Sequence, residues 1–358
     1  MKMVVRYFKQ HSRSTMIRFA IITFICLVAV TLLTQGLVQD YNRNKDYDEN
    51  YGSPYTFYYG YDNDWYVSPV LPFHVIIIVI LCTGLPMIEM SSFNSRKYLD
   101  SAFSFPISRI SMLSVNLING YLQFLLAYTI SFIWYAIRLA PCADKLNFGM
   151  IWAFFFISLL YSLFLYCFNA FFFSLCNSTV DGAITAIAWQ HILCPLMLTL
   201  VDMFNFDTKD FDLDYMFYGI VWYPLGTISE IYDSAAAGTR YYYSNFDKNI
   251  KPMPIILIVV TILAILFCAG TLFFFSRKRA ESAGEISDTP VSYKVLIPIC
   301  AAMLLYWSLE GGGGIVSLFA LIFSTVGYII YRRGVRLKVS DLIVIGVCFA
   351  CFVMGIMA

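Results

Sequence analysis

Asn116, Asn119 and Gln123 recur at i, i+3 and i+7 in an otherwise apolar stretch, so on a helix all three share one face. Carboxamides both donate and accept. A stripe of them either hydrogen-bonds a neighbouring helix or lines a polar pathway. Gln190 and His191 make a second polar point within an apolar run, with Pro195 one turn later. That pattern suits a kink beside a cavity, or a packed and hydrogen-bonded histidine. His11, His74 and His191 fall in separate segments, without the acidic partners that a zinc or nucleophile site requires.

Apparatus for covalent chemistry is missing from the sequence. There is no G-x-x-x-x-G-K-[ST] phosphate loop, no H-E-x-x-H and no G-x-S-x-G. The chain is therefore expected to hold no catalytic site, cofactor or metal, and any ATP hydrolysis would belong to a separate subunit. Of ten cysteines, only Cys142 lies outside an apolar run, so no extracellular disulfide framework is expected. Cys348 and Cys351 spell C-x-x-C inside an apolar helix without a nearby His or acid, which reads as packing.

The elements that must position these residues are membrane helices. Of 358 residues, 59% are hydrophobic and only 13% charged, against roughly 25% charged in a soluble domain. Apolar runs near Ile17 to Val38, Val70 to Met90, Val115 to Ile137, Met150 to Leu175, Gly182 to Met203 and Pro254 to Ser276 are each long enough to cross ~30 Å of hydrocarbon. Three shorter runs follow: Val295 to Leu309, Ile315 to Tyr331 and Leu342 to Ala358. The first two make either two crossings or a re-entrant hairpin hinged at Gly311 to Gly314. An all-α, polytopic helical bundle is expected.

Charge orients the bundle. With the N-terminus in the cytosol, inner segments hold 16 basic and 7 acidic residues, and outer segments hold 16 acidic and 8 basic. The positive-inside rule favours that orientation. Arg18, just inside the first span, reads as a side chain snorkelling to the headgroups. The outer segments 39–69 and 204–253 are rich in tyrosine and tryptophan, as an interfacial belt would be. Within the second, Met216 to Tyr232 reads as short interfacial or re-entrant helices. Nothing in the charge distribution implies nucleic acid.

The cytosolic segment Ser91 to Ser111 reads SSFNSRKYLDSAFSFPISRIS. Phe93, Lys97, Asp100 and Ser104 fall on one side of a short helix, with Tyr98, Leu99, Ala102 and Phe103 on an apolar side. Pro106 suits the first turn of the next helix. Such an amphipathic element serves either as a docking site or as an interfacial loop.

This order of features resembles the permease subunits of type-2 ABC exporters. The likeness rests on an amphipathic basic segment (Lys2 to Arg13), two helices, a loop ending Phe105-Pro106-Ile107-Ser108-Arg109, and helices three to six. In that family the loop commonly ends Leu-Pro-[IV]-Ser-Arg, preceded by an acid at the end of the second helix, matched here by Glu89. Arg277 to Glu285, RKRAESAGE, resembles the segment after helix six in a Gram-positive branch. The likeness covers about the first 285 residues. It implies domains at 1–16 (cytosolic amphipathic helix), 17–276 (six-helix core), 277–294 (cytosolic linker) and 295–358 (additional membrane segments). Helices seven to nine exceed the family's core, and the chain stops at Ala358 inside an apolar run, as in a truncated or atypical member.

The resemblance implies a permease in the cell membrane of a bacterium, exporting a hydrophobic or amphipathic solute, lipid or peptide. Its partners would be cytosolic ABC ATPase subunits carrying ATP and Mg, a second identical or related permease, and membrane lipids. Tyr98, Leu99, Asp100, Phe103, Pro106 and Arg109 would belong to the ATPase-coupling loop, and Arg277 to Asp288 to a second cytosolic contact. Asn116, Asn119, Gln123, Gln190 and His191 are the candidate pathway or intramembrane polar residues. The alternative is a non-transporting membrane sensor or immunity protein that binds a peptide or lipid at its outer face.

Overall fold

A computed structural model describes residues 2–51, 70–96, 98, 107–142, 147–203, 253–278, 283–285, 289–308 and 313–357. Ten α-helices follow in order among them: α1 (Lys2–Ser14), α2 (Met16–Tyr51), α3 (Val70–Ser91), α4 (Arg109–Leu139), α5 (Phe148–Ser174), α6 (Thr179–Met203), α7 (Met253–Ser276), α8 (Val295–Trp307), α9 (Gly313–Arg332) and α10 (Val339–Met357). No strand occurs among the described residues. Six helices there are long and apolar enough to cross a membrane, contributed by α2, α3, α4, α5, α7 and α9. The chain is an all-α, multi-pass membrane protein.

Several boundaries differ from expectation. α2 does not stop near Val38 but runs helically to Tyr51, beyond its apolar stretch Met16–Gly36. α4 begins at Arg109, not at Pro106. Ser108 is its N-cap, and the Ser108 hydroxyl accepts from the Ser111 N–H, satisfying one donor that a helix start leaves open. With 31 residues, α4 is about 46 Å long, well beyond the hydrocarbon thickness. α9, with 20 residues, reaches about 30 Å, whereas α8 with 13 reaches only about 20 Å.

The chain divides into two compact units. The first comprises Met1–Met90, Phe105–Ala170 and Trp222–Phe273. Here α1 and α2 pack along α4, and aromatic residues fill the space among α3, α4 and α5. His74 lies buried against Tyr128, Phe132 and Tyr135, its ring centroid 4.8 Å from that of Tyr135. Phe132 and Phe155 approach to 4.7 Å. Lipid tails are as apolar as these side chains, so close packing and interhelical hydrogen bonds hold such helices together more than hydrophobicity does. Tyr128 Oη with Ser158 Oγ at 2.9 Å, and Asn169 Nδ2 donating to the Cys82 carbonyl at 3.2 Å, supply those bonds.

The second unit comprises Ser91–Ser104, Phe171–Val221 and Phe274–Ala358. In it α8 packs on α9 and α6, and α9 on α10. Gly327 permits the α8–α9 approach, because a Cβ there would sit 3.2 Å from Ile297. Arg332 grips Asp341 through two hydrogen bonds of 2.8 and 3.0 Å, clamping the turn between α9 and α10. Cys348 packs with Ala301 and Ala320, as the packing reading of the C-x-x-C pair requires.

Candidate functional site

The polar stripe on α4 faces α1. Tyr7, His11, Ser12 and Thr15 form the inward side of α1 and its junction, while Arg6, Lys9 and Arg13 are exposed. The helical ladder passes through Thr15, whose N–H donates to the His11 carbonyl at 3.1 Å and whose carbonyl accepts from the Phe19 N–H at 3.0 Å. α1 thus leads into α2 with a break of a single residue.

Contacts run in sequence along the two elements. The Tyr7 hydroxyl donates to Asn116 Oδ1 at 3.1 Å, and the Ser12 hydroxyl to Asn119 Oδ1 at 3.0 Å. Thr15 Oγ1 accepts from Asn119 Nδ2 at 3.0 Å and from Gln123 Nε2 at 2.8 Å. Arg18 Nε donates to Gln123 Oε1 at 3.0 Å. The three carboxamides therefore make interhelical bonds, which was one of their two expected roles.

At the centre sits Glu89 from the last turn of α3, its side chain only 1% exposed. A lone carboxylate in that setting is costly unless paired and hydrogen-bonded. Arg18 donates to Oε1, His11 Nε2 lies 2.8 Å from Oε2, and Asn119 Nδ2 reaches Oε1 at 3.5 Å. Because an ionised carboxylate only accepts, His11 Nε2 is the donor. Gly120 makes room: a Cβ there would meet Tyr166 Oη at 2.5 Å and Glu89 Cγ at 2.8 Å. Tyr166 in turn donates to the Leu117 carbonyl at 2.9 Å.

Two sequence readings are corrected by this cluster. Arg18 does not snorkel; Glu89 and Gln123 hold its guanidinium inside the protein. His11 has an acidic partner after all, supplied from 78 residues away. Sequence reasoning also missed Tyr7, Ser12, Thr15 and Gly120. The spacing of Tyr7, His11, Thr15 and Arg18, i, i+4, i+8 and i+11, would have marked one helical face.

Gln190 and His191 belong to the second unit. Gln190 is buried, whereas His191 is exposed; its Nδ1 lies 2.8 Å from the Ile187 carbonyl one turn earlier, so the expected packed histidine is hydrogen-bonded but not packed. α6 continues helically past Pro195 to Met203.

The coupling loop is described only in part. Leu99, Asp100, Phe103 and Pro106 lie outside the described residues, as do the Met216 to Tyr232 stretch and most of the outer segments. Arg109 opens α4 and is exposed. A continuous helix from Phe93 does not form, because Ser95 is extended (φ −102°, ψ 121°) and ends a short turn at Ser92–Asn94. Phe93 turns inward between Tyr98 and Phe275, with ring centroids 5.7 and 5.0 Å away.

The segment after α7 is tied to other helix ends of the second unit. Lys278 Nζ donates to Asn94 Oδ1 at 2.7 Å and to the Cys176 carbonyl. Arg96 donates to the Ala283 carbonyl and to Glu285, both at 3.0 Å, and Gly284 N–H donates to the Asn177 carbonyl at 2.8 Å. Burial pushes the Lys278 ammonium down to about 8. Gly284 takes φ +82°, a conformation that glycine adopts without strain.

No family model matches the chain, and no curated protein or solved structure matches it either. Among the described residues, no group of three or more His, Cys, Asp or Glu converges as metal ligands.

Proposed function

We propose that the chain is the membrane-spanning permease subunit of an ATP-driven exporter for a hydrophobic or amphipathic solute, lipid or peptide. It would sit in the cell membrane with its N-terminus cytosolic, paired with a second permease and driven by cytosolic ATPase subunits that carry ATP and Mg. Support comes first from the residues that resemble type-2 ABC permeases, including Glu89 and the Phe105 to Arg109 run.

The observation that carries this reading is the union of α1, α2, α3 and α4 at Glu89. A permease must convert a push on its cytosolic loop into movement of spans. The loop from Ser91 to Ser108 is bounded by α3 and α4, and the Glu89 cluster locks those two helices to the N-terminal pair. Within the first unit, α1, α2, α3 and α4 would therefore move together rather than one bending alone.

Purification of the tagged chain from its native membrane tests the proposal. Recovery of a stoichiometric subunit bearing a phosphate-loop ATPase fold is the expected result. Recovery of the chain alone, together with tight binding of a peptide at its outer face, would favour the sensor.

A further inference from the structure

Between α2 and α4 runs an apolar groove of about 570 Å³, within the ~300 to 1,000 Å³ range of small-ligand sites. Phe24, Val28 and Leu32 of α2, spaced i, i+4 and i+8, form one wall, and Ile133 and Ile137 of α4 form the other. All five are exposed. Trp134 and Thr31 tie the walls together: Trp134 Nε1 donates to Thr31 Oγ1 at 2.9 Å, and that hydroxyl donates to the Leu27 carbonyl at 2.7 Å. An indole has a single donor, so both polar groups of the lining are satisfied and what remains open is apolar.

Arg138 stands at the end of this groove. It follows Ile137 directly and lies one turn beyond Trp134, and helical side chains lean back over the preceding turn, here the one that carries Trp134. Its Nε is buried without a hydrogen-bond partner, and none of the ion pairs among the described residues includes it. The last turn of α4 suits a cation, but it gives this Nε no acceptor. A guanidinium only donates, so its partner must be an acceptor from outside these helices.

Depth along the membrane limits what fits. From Phe24 to Leu32 the groove rises about 12 Å, against ~15 Å for half of the hydrocarbon core. It begins near the middle of the apolar stretch Met16–Gly36 and stops one turn before its end. The groove therefore spans one leaflet, the outer one under the proposed orientation, with Arg138 at headgroup level. A tail gains little by exchanging lipid neighbours for protein ones, since both are apolar, so the groove alone selects nothing. The charge beside it does select, because guanidinium and phosphate pair through two parallel hydrogen bonds. The geometry points to a site for one anionic phospholipid, with an acyl chain in the groove between α2 and α4 and the phosphate on Arg138. A zwitterionic lipid answers the same phosphate with its own cation and competes less well. The site goes beyond the exporter reading and requires no ATPase.

The test is native mass spectrometry of the full chain in detergent, titrated with dioleoyl phosphatidylglycerol. Wild type is expected to retain one such lipid per chain, roughly tenfold more tightly than dioleoyl phosphatidylcholine. Arg138→Gln should remove that preference, and Arg138→Lys, which keeps the charge, should retain part of it. Ile133→Trp fills the groove and should weaken binding of both lipids by a similar factor, whereas Ile262→Trp, on the exposed face of α7, should not. If Ile133→Trp does not fold, Val28→Phe fills the groove in its place. Inorganic phosphate, lacking a tail, should not displace the lipid. Equal preference in wild type and Arg138→Gln, or equal losses in the two tryptophan variants, would overturn the proposal. A dimer that Ile133→Trp splits without changing lipid binding would also overturn it, assigning the groove to a second copy of the chain.

Discussion

His11 Nε2 lies 2.8 Å from Glu89 Oε2, joining the N-terminal helix to the last turn of α3. With Arg18 on the other oxygen, the carboxylate is shared between an imidazole and a guanidinium from one N-terminal segment. Breaking a buried pair from one side leaves an uncompensated charge, typically costing 3 to 5 kcal/mol. Arg18→Ala is therefore expected to be strongly destabilising. Arg18→Ala combined with Glu89→Ala should cost less than the sum of the single changes, with a coupling of about 1 to 3 kcal/mol. Thermal melts of the four proteins in one detergent measure this cycle. Additive effects would mean that the two groups do not interact.

Gly120 is a packing requirement of the same cluster. Gly120→Ala would place a methyl against Tyr166 Oη and Glu89 Cγ, and overpacking of that kind costs about 1 to 3 kcal/mol. Tyr166→Phe removes the nearer obstacle, so the double variant should melt above Gly120→Ala alone. If alanine is tolerated without loss, the close approach is not real.

How much of this was legible depended on whether a residue's partner lay nearby in sequence. The face shared by Asn116, Asn119 and Gln123 follows from helical spacing alone, which leaves open whether the stripe bonds a neighbouring helix or lines a pathway. That α1 would be the partner does not follow, because Ser12 and Asn119 are 107 positions apart and no periodicity links them. Arg18 was misread because snorkelling considers one side chain and the headgroups, whereas the structure supplies an acid from another helix. At the start of α4, Pro106 drew attention from Ser108, although a serine three residues before another polar donor site is an ordinary cap. The extended Ser95 carries no sequence signal at all, so the amphipathic pattern from Phe93 onward overran it.

Orientation can be read from thiol chemistry at exposed positions. Cys176 is unsuitable as a reporter, since it is buried beside Thr185. Ser95→Cys and Arg336→Cys place thiols at exposed sites. With the N-terminus cytosolic, an impermeant maleimide applied to intact cells should label Cys142 and spare both introduced cysteines until the membrane is permeabilised. Labelling of Ser95→Cys in intact cells would reverse the topology.

Lys278 gives the second unit a pH signature. Burial holds its ammonium at about 8, below the ordinary lysine value of 10.5. Between those values the unfolded chain binds more protons than the folded one, so stability rises with pH across that window and is independent of this group below it. The slope contributed is up to about 1.4 kcal/mol per pH unit. Melting temperatures recorded from pH 7 to 10 should climb in wild type relative to Lys278→Met. Parallel curves for the two proteins would remove Lys278 as the cause.

The exporter account is tested most directly by ATP hydrolysis of the co-purified complex in proteoliposomes, compared between wild type and Tyr98→Asp/Leu99→Asp at equal expression. Tyr98, whose ring meets that of Phe93, lies beyond the span that ends at Asn94. Loss of an interface anchor commonly costs 1 to 2 kcal/mol or more, which lowers association roughly tenfold. The account predicts an ATPase subunit bound to wild type, and a double variant that inserts normally but retains little of that subunit and little coupled hydrolysis. Full retention of both by the double variant, or the absence of any ATPase from the wild-type complex, would contradict it.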